Sequence, residues 1–531
     1  MASDAELDAE GKHEEKHEGH ENRLESFEQS VEGSFEDVIG EIEELPSRRW
    51  WALGVIALAQ LMVVLDGTVV TIALPSAQRA LHISNADRQW AITAYTLAFG
   101  GLLLLGGRIA DYLGRKRIFL VGLLGFAAAS ALGGAAQNGA TLFGARAIQG
   151  LFAALLAPAA LSLITVTFTE VKERSRAFAV YGAISGGGAA IGLILGGALT
   201  EYASWRWCLF INVPIAIAAF IAGTILVTES KAERGSSYDI PGAVLGTAGL
   251  VALVYGFTEA AKSGVGWLSV EAISYLVGAA ILLVAFVLVE LRSKSPLLPM
   301  RVILDRNRGG TYLASLLVFA GLFAMFLFLS YYFQYNLHYS ALKSGVAFLP
   351  FSGGIIVTSG LVSGILPHTG PKPLMLIGLA MGTAGLVIFA FITDTSSWVT
   401  SVLPGELLMS VGLALVFVPL SSLALTGVSS NDAGVASAVL NSSQQIGGSL
   451  GTALLNTFYA SAVTSYVVAH HLSPYAFNPL AAIHGYHVAF WIGVGLIAAA
   501  FVAILVLVNA RKDAITPQPA TSPDAQRQEK Y

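Results

Sequence analysis

Residues 106–120 read GGRIADYLGRKRIFL, a short charged stretch that separates two long apolar runs. The runs lie near residues 89–107 and 118–136, and each is long enough to cross a bilayer as a helix. The charged stretch must therefore lie at a membrane surface. The three basic residues at 115–117 favour the cytoplasmic surface, because Lys and Arg accumulate on that side of a membrane.

The composition of the whole chain indicates a protein that crosses the membrane many times. Of its 531 residues, 55% are hydrophobic and 12% are charged, about half the charged fraction of a soluble protein. The single cysteine, Cys208, excludes an internal disulfide and a thiolate metal cluster. No phosphate-binding loop of the form G-x-x-x-x-G-K-S/T and no nucleophile elbow is present. We therefore expect neither an enzyme nor a bound cofactor.

The hydrophobic pattern predicts fourteen membrane-spanning helices from Trp50 onward, and hence an all-α polytopic membrane protein. The predicted cytoplasmic ends and loops hold about nineteen Lys and Arg residues and the outer loops about five. This bias places both termini in the cytoplasm. Residues 1–47 contain sixteen acidic residues against three basic ones, with an apolar stripe that fits one face of an amphipathic helix. A frayed acidic tail is the alternative.

Helices 9–14 look like a second copy of helices 1–6, because the stretch Ser363–Gly378 is a degenerate counterpart of residues 106–120. We expect an acidic tail at 1–47, a six-helix half at 48–228, a linker with two inserted helices at 229–308, a second six-helix half at 309–510 and a disordered tail at 511–531.

Charged residues within predicted spanning helices are candidates for the chemistry. Asp66 lies about 12 Å from the outer end of helix 1, and Arg146 lies about 8 Å from the outer end of helix 4. A charge at such depth needs a partner or a water-filled cavity. We expect an Asp66–Arg146 pair that couples to protons, because burial favours the protonated form of a carboxyl group. The alternatives are a solvated aspartate and a structural, snorkelling arginine. Glu406 in helix 12 is a second candidate proton or cation site.

Uncharged polar residues and glycines form a second set. Gln149 shares a helix face with Arg146, and three polar residues of helix 13 lie within the membrane. Lining a substrate cavity and bonding between helices are equally open roles for them. In helix 5, glycines spaced about four residues apart predict close helix packing. The candidate cavity residues are Gln149, Asn441, Gln444 and Gln445; the candidate packing glycines are Gly188, Gly192, Gly196 and Gly197.

Several of these stretches resemble motifs of the major facilitator superfamily. The opening stretch matches G-x-x-x-D-x-x-G-R-K/R in register, and Arg146–Gly150 matches R-x-x-Q-G. Leu65–Pro75 resembles the L-D-x-T-I/V-V-x-x-A-L-P signature of its fourteen-helix drug:proton antiporters. Helix 5 resembles an antiporter motif that ends G-P-x-x-G-G, with Leu193 in place of the proline. Trp205–Pro214 resembles W-R-W-x-F-x-I-N-x-P, and we assign it a structural role.

The resemblance implies a major facilitator fold and proton-coupled efflux of amphipathic drugs or antibiotics across a bacterial plasma membrane. The implied partners are a small substrate, protons and lipid, with no nucleic acid and no second copy of the chain. We expect a conformational latch at the cytoplasmic surface. Its residues are Gly107, Asp111, Gly114 and Arg115. The alternative function is proton-coupled transport of one specific metabolite without multidrug activity.

Overall fold

The structure is a computed structural model that describes residues 48–231, 239–262, 266–293, 296–298, 300–426, 428, 433–473 and 477–510. Every regular element in these residues is a helix. The tails predicted at 1–47 and 511–531 lie outside the described residues.

Thirteen helices in the described part of the chain are long and apolar enough to cross a membrane. They are α1 (Arg48–Ala80), α2 (Trp90–Leu113), α3 (Arg115–Gly134), α4 (Gly139–Thr167), α5 (Lys172–Tyr202), α6 (Trp207–Leu226), α7 (Ile240–Ala260), α8 (Val270–Arg292), α9 (Arg306–Asn336), α10 (Ala341–Thr369), α11 (Pro371–Phe389), α12 (Trp398–Leu425) and α14 (Pro479–Leu507).

One further long helix, α13 (Ala433–Ala469), has 37 residues but is too polar to be among the thirteen. It carries no charged residue. Its polarity comes instead from Ser, Thr, Asn and Gln side chains distributed along its length. With α13, the described residues contain the fourteen long helices that the sequence predicts.

The helices pack mainly within two groups. In the first group α4 packs against α2 and α3, and α3 packs against α6. In the second group α9 packs against α13 and α14, while α12 packs against α10 and α11. The pairs α2–α13 and α5–α10 join the groups, and the α7–α8 hairpin packs against α2 and α13. The domain boundaries given above stay predictions.

Two glycine turns on one side of the helices have related geometry. Gly114 precedes α3 with φ 114°, and Gly370 precedes α11 with φ 79°, both in the left-handed region that favours glycine. Two residues after Gly114, Lys116 donates from Nζ to the carbonyl oxygen of Thr224 in the last turn of α6, at 2.7 Å. The lysine two residues after Gly370 donates in the same way to Leu505 in the last turn of α14, at 2.9 Å. We call this side the basic face, and the side on which α1 ends and α2 begins the opposite face.

Candidate functional site

The carboxylate of Asp66, near the middle of α1, is completely buried. Its Oδ2 forms an ion pair with Nη1 of Arg146 on α4. Its Oδ1 accepts hydrogen bonds from Nε2 of Gln149 at 3.0 Å and from Nδ2 of Asn212 at 2.9 Å. A buried charge is tolerated only when a counter-ion and hydrogen bonds compensate for the lost water. Asp66 has both, supplied by α4 and α6.

The guanidinium of Arg146 is equally enclosed, with 1% of the residue exposed. Its Nε donates to the carbonyl oxygen of Ala91 in the first turn of α2, at 2.9 Å. Its Nη1 also donates to Oε1 of Gln149, at 2.9 Å. The ring centroid of Tyr95 lies 4.4 Å from Cζ of Arg146, within the range of a cation–π interaction. The first two turns of α2 therefore help to hold Arg146 in place through two uncharged groups, a carbonyl oxygen and an aromatic ring.

Ser130 on α3 joins the two amide side chains. Its Oγ accepts from Nε2 of Gln149 at 2.6 Å and lies 3.4 Å from Nδ2 of Asn212. Each amide thus bridges Asp66 and Ser130. We call Asp66, Ser130, Arg146, Gln149 and Asn212 the polar cluster. Its members come from α1, α3, α4 and α6, and none is more than 1% exposed.

Close contact between α2 and α4 positions this cluster. A Cβ atom at Gly150 would collide with the carbonyl oxygen of Tyr95, and one at Gly106 would collide with that of Ala154. Small residues at a helix crossing allow the two backbones to approach closely. The approach at Gly150 brings the first turns of α2 beside Arg146, one helical turn away on α4.

The structure brings together some, but not all, of the residues that the sequence singled out. Asp66, Arg146 and Gln149 are in contact, and Gln149 is enclosed in the polar cluster. A role for Gln149 in lining a substrate cavity stays a prediction. Sequence reasoning missed Ser130 and Asn212. Asn212 lies in the stretch to which we assigned only structure, and its one signal is an amide within an apolar helix.

Glu406 is also completely buried, in the first turns of α12. Neither carboxylate oxygen has a hydrogen-bond partner among the described residues. Glu406 therefore differs from Asp66 in that no counter-ion or donor in the described part of the chain faces it. No hydrogen bond or ion pair between described residues connects Glu406 to the polar cluster.

The residues of the predicted latch lie at the basic face. Nε of Arg115 donates to Oδ1 of Asp111 at 2.9 Å, across one turn interrupted by Gly114. Glu229, after α6, accepts from the backbone N–H groups of residues 116–117 at 3.1 and 3.2 Å, and so caps α3. These partners all belong to the first helix group and the segment after α6. No hydrogen bond or ion pair in the described part of the chain joins Asp111 or Arg115 to the second group.

Gly107 and the four predicted glycines of α5 lie beside neighbouring helices. A Cβ atom at Gly107 would make an ordinary contact with Pro158 of α4, at 3.5 Å. On α5, a Cβ atom added at any of three glycines would contact α1 beside Asp66, and one added at the fourth glycine would contact α10. The three are Gly188, Gly192 and Gly196; the fourth is Gly197.

The polar residues predicted for α13 are half-buried in the first third of that helix. Nδ2 of Asn441 donates to the carbonyl oxygen of Ser437 in its own helix, at 3.0 Å. Gln445 packs against Gly100 of α2, and Gln444 is its neighbour. A role for these three residues in lining a substrate cavity stays a prediction.

The described residues form fourteen long helices with close glycine contacts around a buried ion pair, an arrangement that defines a multi-pass membrane transport protein. Residues 56–452 match the Major Facilitator Superfamily, and the chain belongs to that superfamily.

Two similar curated proteins are named for resistance to, or export of, an antibiotic. The chain is 50% identical over 470 residues to the puromycin resistance protein pur8 of Streptomyces alboniger, covering 88% of this chain and 93% of that protein. It is 39% identical over 414 residues to the cephamycin export protein CmcT of Amycolatopsis lactamdurans, covering 77% and 85% of the two chains.

Solved structures of transporters share the fold. A bacterial homologue of the human lysosomal transporter Spinster, in an inward-facing and unoccupied conformation, aligns with a TM-score of 0.61 at 16% identity. The alignment covers 89% of this chain and 100% of that chain. A peptide transporter, POT, in complex with sulfate aligns with a TM-score of 0.62 at 13% identity, covering 87% and 96%.

Proposed function

We propose that the protein exports small amphipathic molecules, antibiotics among them, across the plasma membrane in exchange for protons by alternating access. The observation that carries the proton coupling is the buried ion pair between Asp66 and Arg146. The relatives that are named for puromycin resistance and cephamycin export support the substrate class.

The geometry suggests how a proton would act on the pair. Protonation of Asp66 removes the charge that faces Arg146 and leaves two amide donors beside a neutral acid. The enclosed guanidinium of Arg146 then has no counter-ion, which favours a rearrangement of α4 against α1. In the proposed cycle Asp66 accepts a proton from outside as the substrate leaves. The two helix groups then rock, and the proton departs inward as new substrate binds. Glu406 is a candidate second proton site because it is buried without a hydrogen-bond partner among the described residues.

The arrangement in the membrane follows from the charge distribution. We propose that the basic face is cytoplasmic, with both termini on that side, and that one chain suffices for transport. Asp111 and Arg115 would then act as a latch at the cytoplasmic surface, where their ion pair biases one conformation over the other.

The test measures ethidium efflux and puromycin resistance in bacteria that lack their own pumps. We compare the unchanged protein with Asp66→Asn and with Glu271→Gln, an exposed acid at the start of α8. We expect efflux that a protonophore abolishes, a loss of at least about tenfold for Asp66→Asn, and unchanged efflux for Glu271→Gln. Inside-out vesicles with a pH-sensitive dye then report whether substrate addition moves protons.

Three outcomes would contradict parts of this proposal. Protonophore-resistant efflux, or full proton movement in Asp66→Asn, would remove Asp66 from the coupling path. Absence of ethidium and puromycin transport by a well-folded protein would favour the alternative of one specific metabolite. Membrane content and thermal unfolding of each variant identify any loss that is due to misfolding.

A further inference from the structure

Arg88 lies in the segment between α1 and α2, which the sequence predicts to be an outer loop. In the structure it is one of the largest fully buried side chains, with 1% of the residue exposed. Its guanidinium Cζ lies 4.0 Å from the ring centroid of Tyr331 and 4.6 Å from that of Tyr459. Its Nε donates to Oδ1 of Asn456 at 3.0 Å. Each of these three partners is uncharged.

All three partners lie in the second helix group, on α9 and α13, so Arg88 is held across the boundary between the groups. The same boundary carries further hydrogen bonds. Nδ2 of Asn456 donates to the carbonyl oxygen of Asn85 at 2.9 Å, and the hydroxyl of Tyr331 donates to Oε1 of Gln78. One asparagine thus holds both the backbone of the α1–α2 segment and its arginine. The contacts join the two helix groups at the opposite face, where α1 ends and α2 begins.

The contacts that Arg88 makes with the described residues are of a kind that can break and form again, because none of them is an ion pair. A buried guanidinium loses its hydration, and here aromatic faces and an amide compensate in place of a carboxylate. The compensation is incomplete, because Nη2 of Arg88 has no hydrogen-bond partner among the described residues. If the two helix groups separate at this face, water replaces the lost contacts. A carboxylate partner would bind the arginine more firmly and would oppose that separation.

The closure is also adjacent to the polar cluster. Arg88 precedes the first turn of α2, and the carbonyl oxygen of Ala91 in that turn accepts from Arg146. The first turn of α2 therefore contacts the second helix group through Arg88 and the ion pair through Ala91. A movement of this turn changes both sets of contacts.

We propose that Arg88, Tyr331, Asn456 and Tyr459, which we call the aromatic lock, hold the opposite face closed and must part for the transporter to open there. The inference rests on the alternating-access mechanism proposed above. It assigns Arg88 a conformational role that is separate from substrate and proton binding.

The experiment uses thiol accessibility in the purified full-length protein. Ser449→Cys places a reporter on α13 at its contact with α2, because Ser449 is completely buried and its Oγ lies 3.4 Å from the carbonyl oxygen of Thr93. The one native cysteine, Cys208, is 1% exposed within the first helix group and serves as an internal standard for unfolding. A bulky maleimide is added, and the modification of each cysteine is followed by mass spectrometry.

Arg88→Ala should increase the rate of modification at position 449 about tenfold. The closed state loses the cation–π contacts with two tyrosine rings and the hydrogen bond to Asn456. Arg88→Lys should give a smaller increase, because an ammonium keeps the charge but not the planar stacking. The matched control is Arg79→Ala, which removes an exposed arginine on the same face, 5.6 Å from the ring of Tyr335. It should leave the rate unchanged, and Cys208 should stay unmodified in all variants.

An unchanged rate in Arg88→Ala with Cys208 protected would overturn the lock. If Cys208 reacts, Arg88→Ala has unfolded, and Asn456→Ala is tested in its place. An unchanged rate at position 449 in Asn456→Ala, with Cys208 protected, would then overturn the lock. Spin labels at residues 82 and 480, exposed on the opposite face in different helix groups, give a second measurement. Their distance should lengthen when the lock is removed. Neither measurement uses substrate or a proton gradient, so a failure of the export proposal would be recognised separately, by the efflux assay.

Discussion

The side-chain amide of Asn212 on α6 donates a hydrogen bond of 2.9 Å to Oδ1 of Asp66 on α1, 146 positions earlier in the chain. Both residues are completely buried. The amide of Gln149 reaches the same oxygen, so Oδ1 is held by two neutral donors while Oδ2 faces Arg146. This division lets the amides keep the carboxyl group in place whether or not the ion pair is intact.

Asn212→Ala should destabilise the protein by about 1.5–3 kcal/mol, the usual contribution of a hydrogen bond to a charged group. Thermal unfolding of the purified protein measures the change. Asn441→Ala is the control, because that amide donates only within its own helix and is half-buried. Equal unfolding temperatures for the two variants would show that the Asn212–Asp66 bond contributes little.

Arg146→Ala should destabilise the protein by about 3–5 kcal/mol, because it leaves Asp66 buried without a counter-ion. Adding Asp66→Asn should recover much of this loss, since the double variant buries no charge. The double variant should still lack proton-coupled export. A thermodynamic cycle of unfolding free energies in the same detergent measures the coupling of the two residues. Additive losses would contradict a functional pair.

Gly150→Ala should destabilise the α2–α4 contact by about 1–3 kcal/mol, because the added methyl group meets the carbonyl oxygen of Tyr95. Gly144→Ala is a matched change on the same helix, where nothing lies within 4 Å of an added Cβ atom. That control should be neutral or slightly stabilising, since alanine favours the helix. The unfolding temperatures of the two variants are compared in the same detergent. A Gly150→Ala variant that is more stable than the unchanged protein would contradict the close approach of α2 to α4.

Glu406→Gln should leave the stability at neutral pH within about 1 kcal/mol of the unchanged protein, because no described counter-ion or donor loses a partner. The same isosteric change at Asp66 should be clearly destabilising, since it leaves Arg146 unpaired. If Glu406 carries a second proton, the number of protons moved per substrate falls in Glu406→Gln vesicles. An unchanged ratio would restrict proton coupling to the polar cluster.

The ion pair could be predicted from the sequence because charges within spanning helices are rare and need partners. Asp66 and Arg146 each interrupt an apolar run at comparable depth, and their motifs occur in order. Ser130 and Asn212 could not be predicted in the same way. Neutral polar residues are common in membrane helices, and their partners depend on how the helices rotate against one another.

Arg88 shows a different limit. Its place between two apolar runs identifies it only as a basic residue of an outer loop. Its Nε donates a hydrogen bond to Oδ1 of Asn456, 368 positions later in the chain. Sequence spacing carries no information about which loops of the first helix group reach the second. Only the packing of α13 against α2 brings these residues together.

The polarity of α13 has a consequence for how the protein is made. A segment with so many hydroxyl and amide groups partitions weakly into lipid during synthesis. In the finished protein α13 packs against α2, α9 and α14, which replace lipid with protein along much of its surface. Two of these neighbours are synthesised before it and one after it. We therefore expect α13 to integrate together with α14 as a hairpin, so that a ribosome stalled between them would leave α13 poorly inserted.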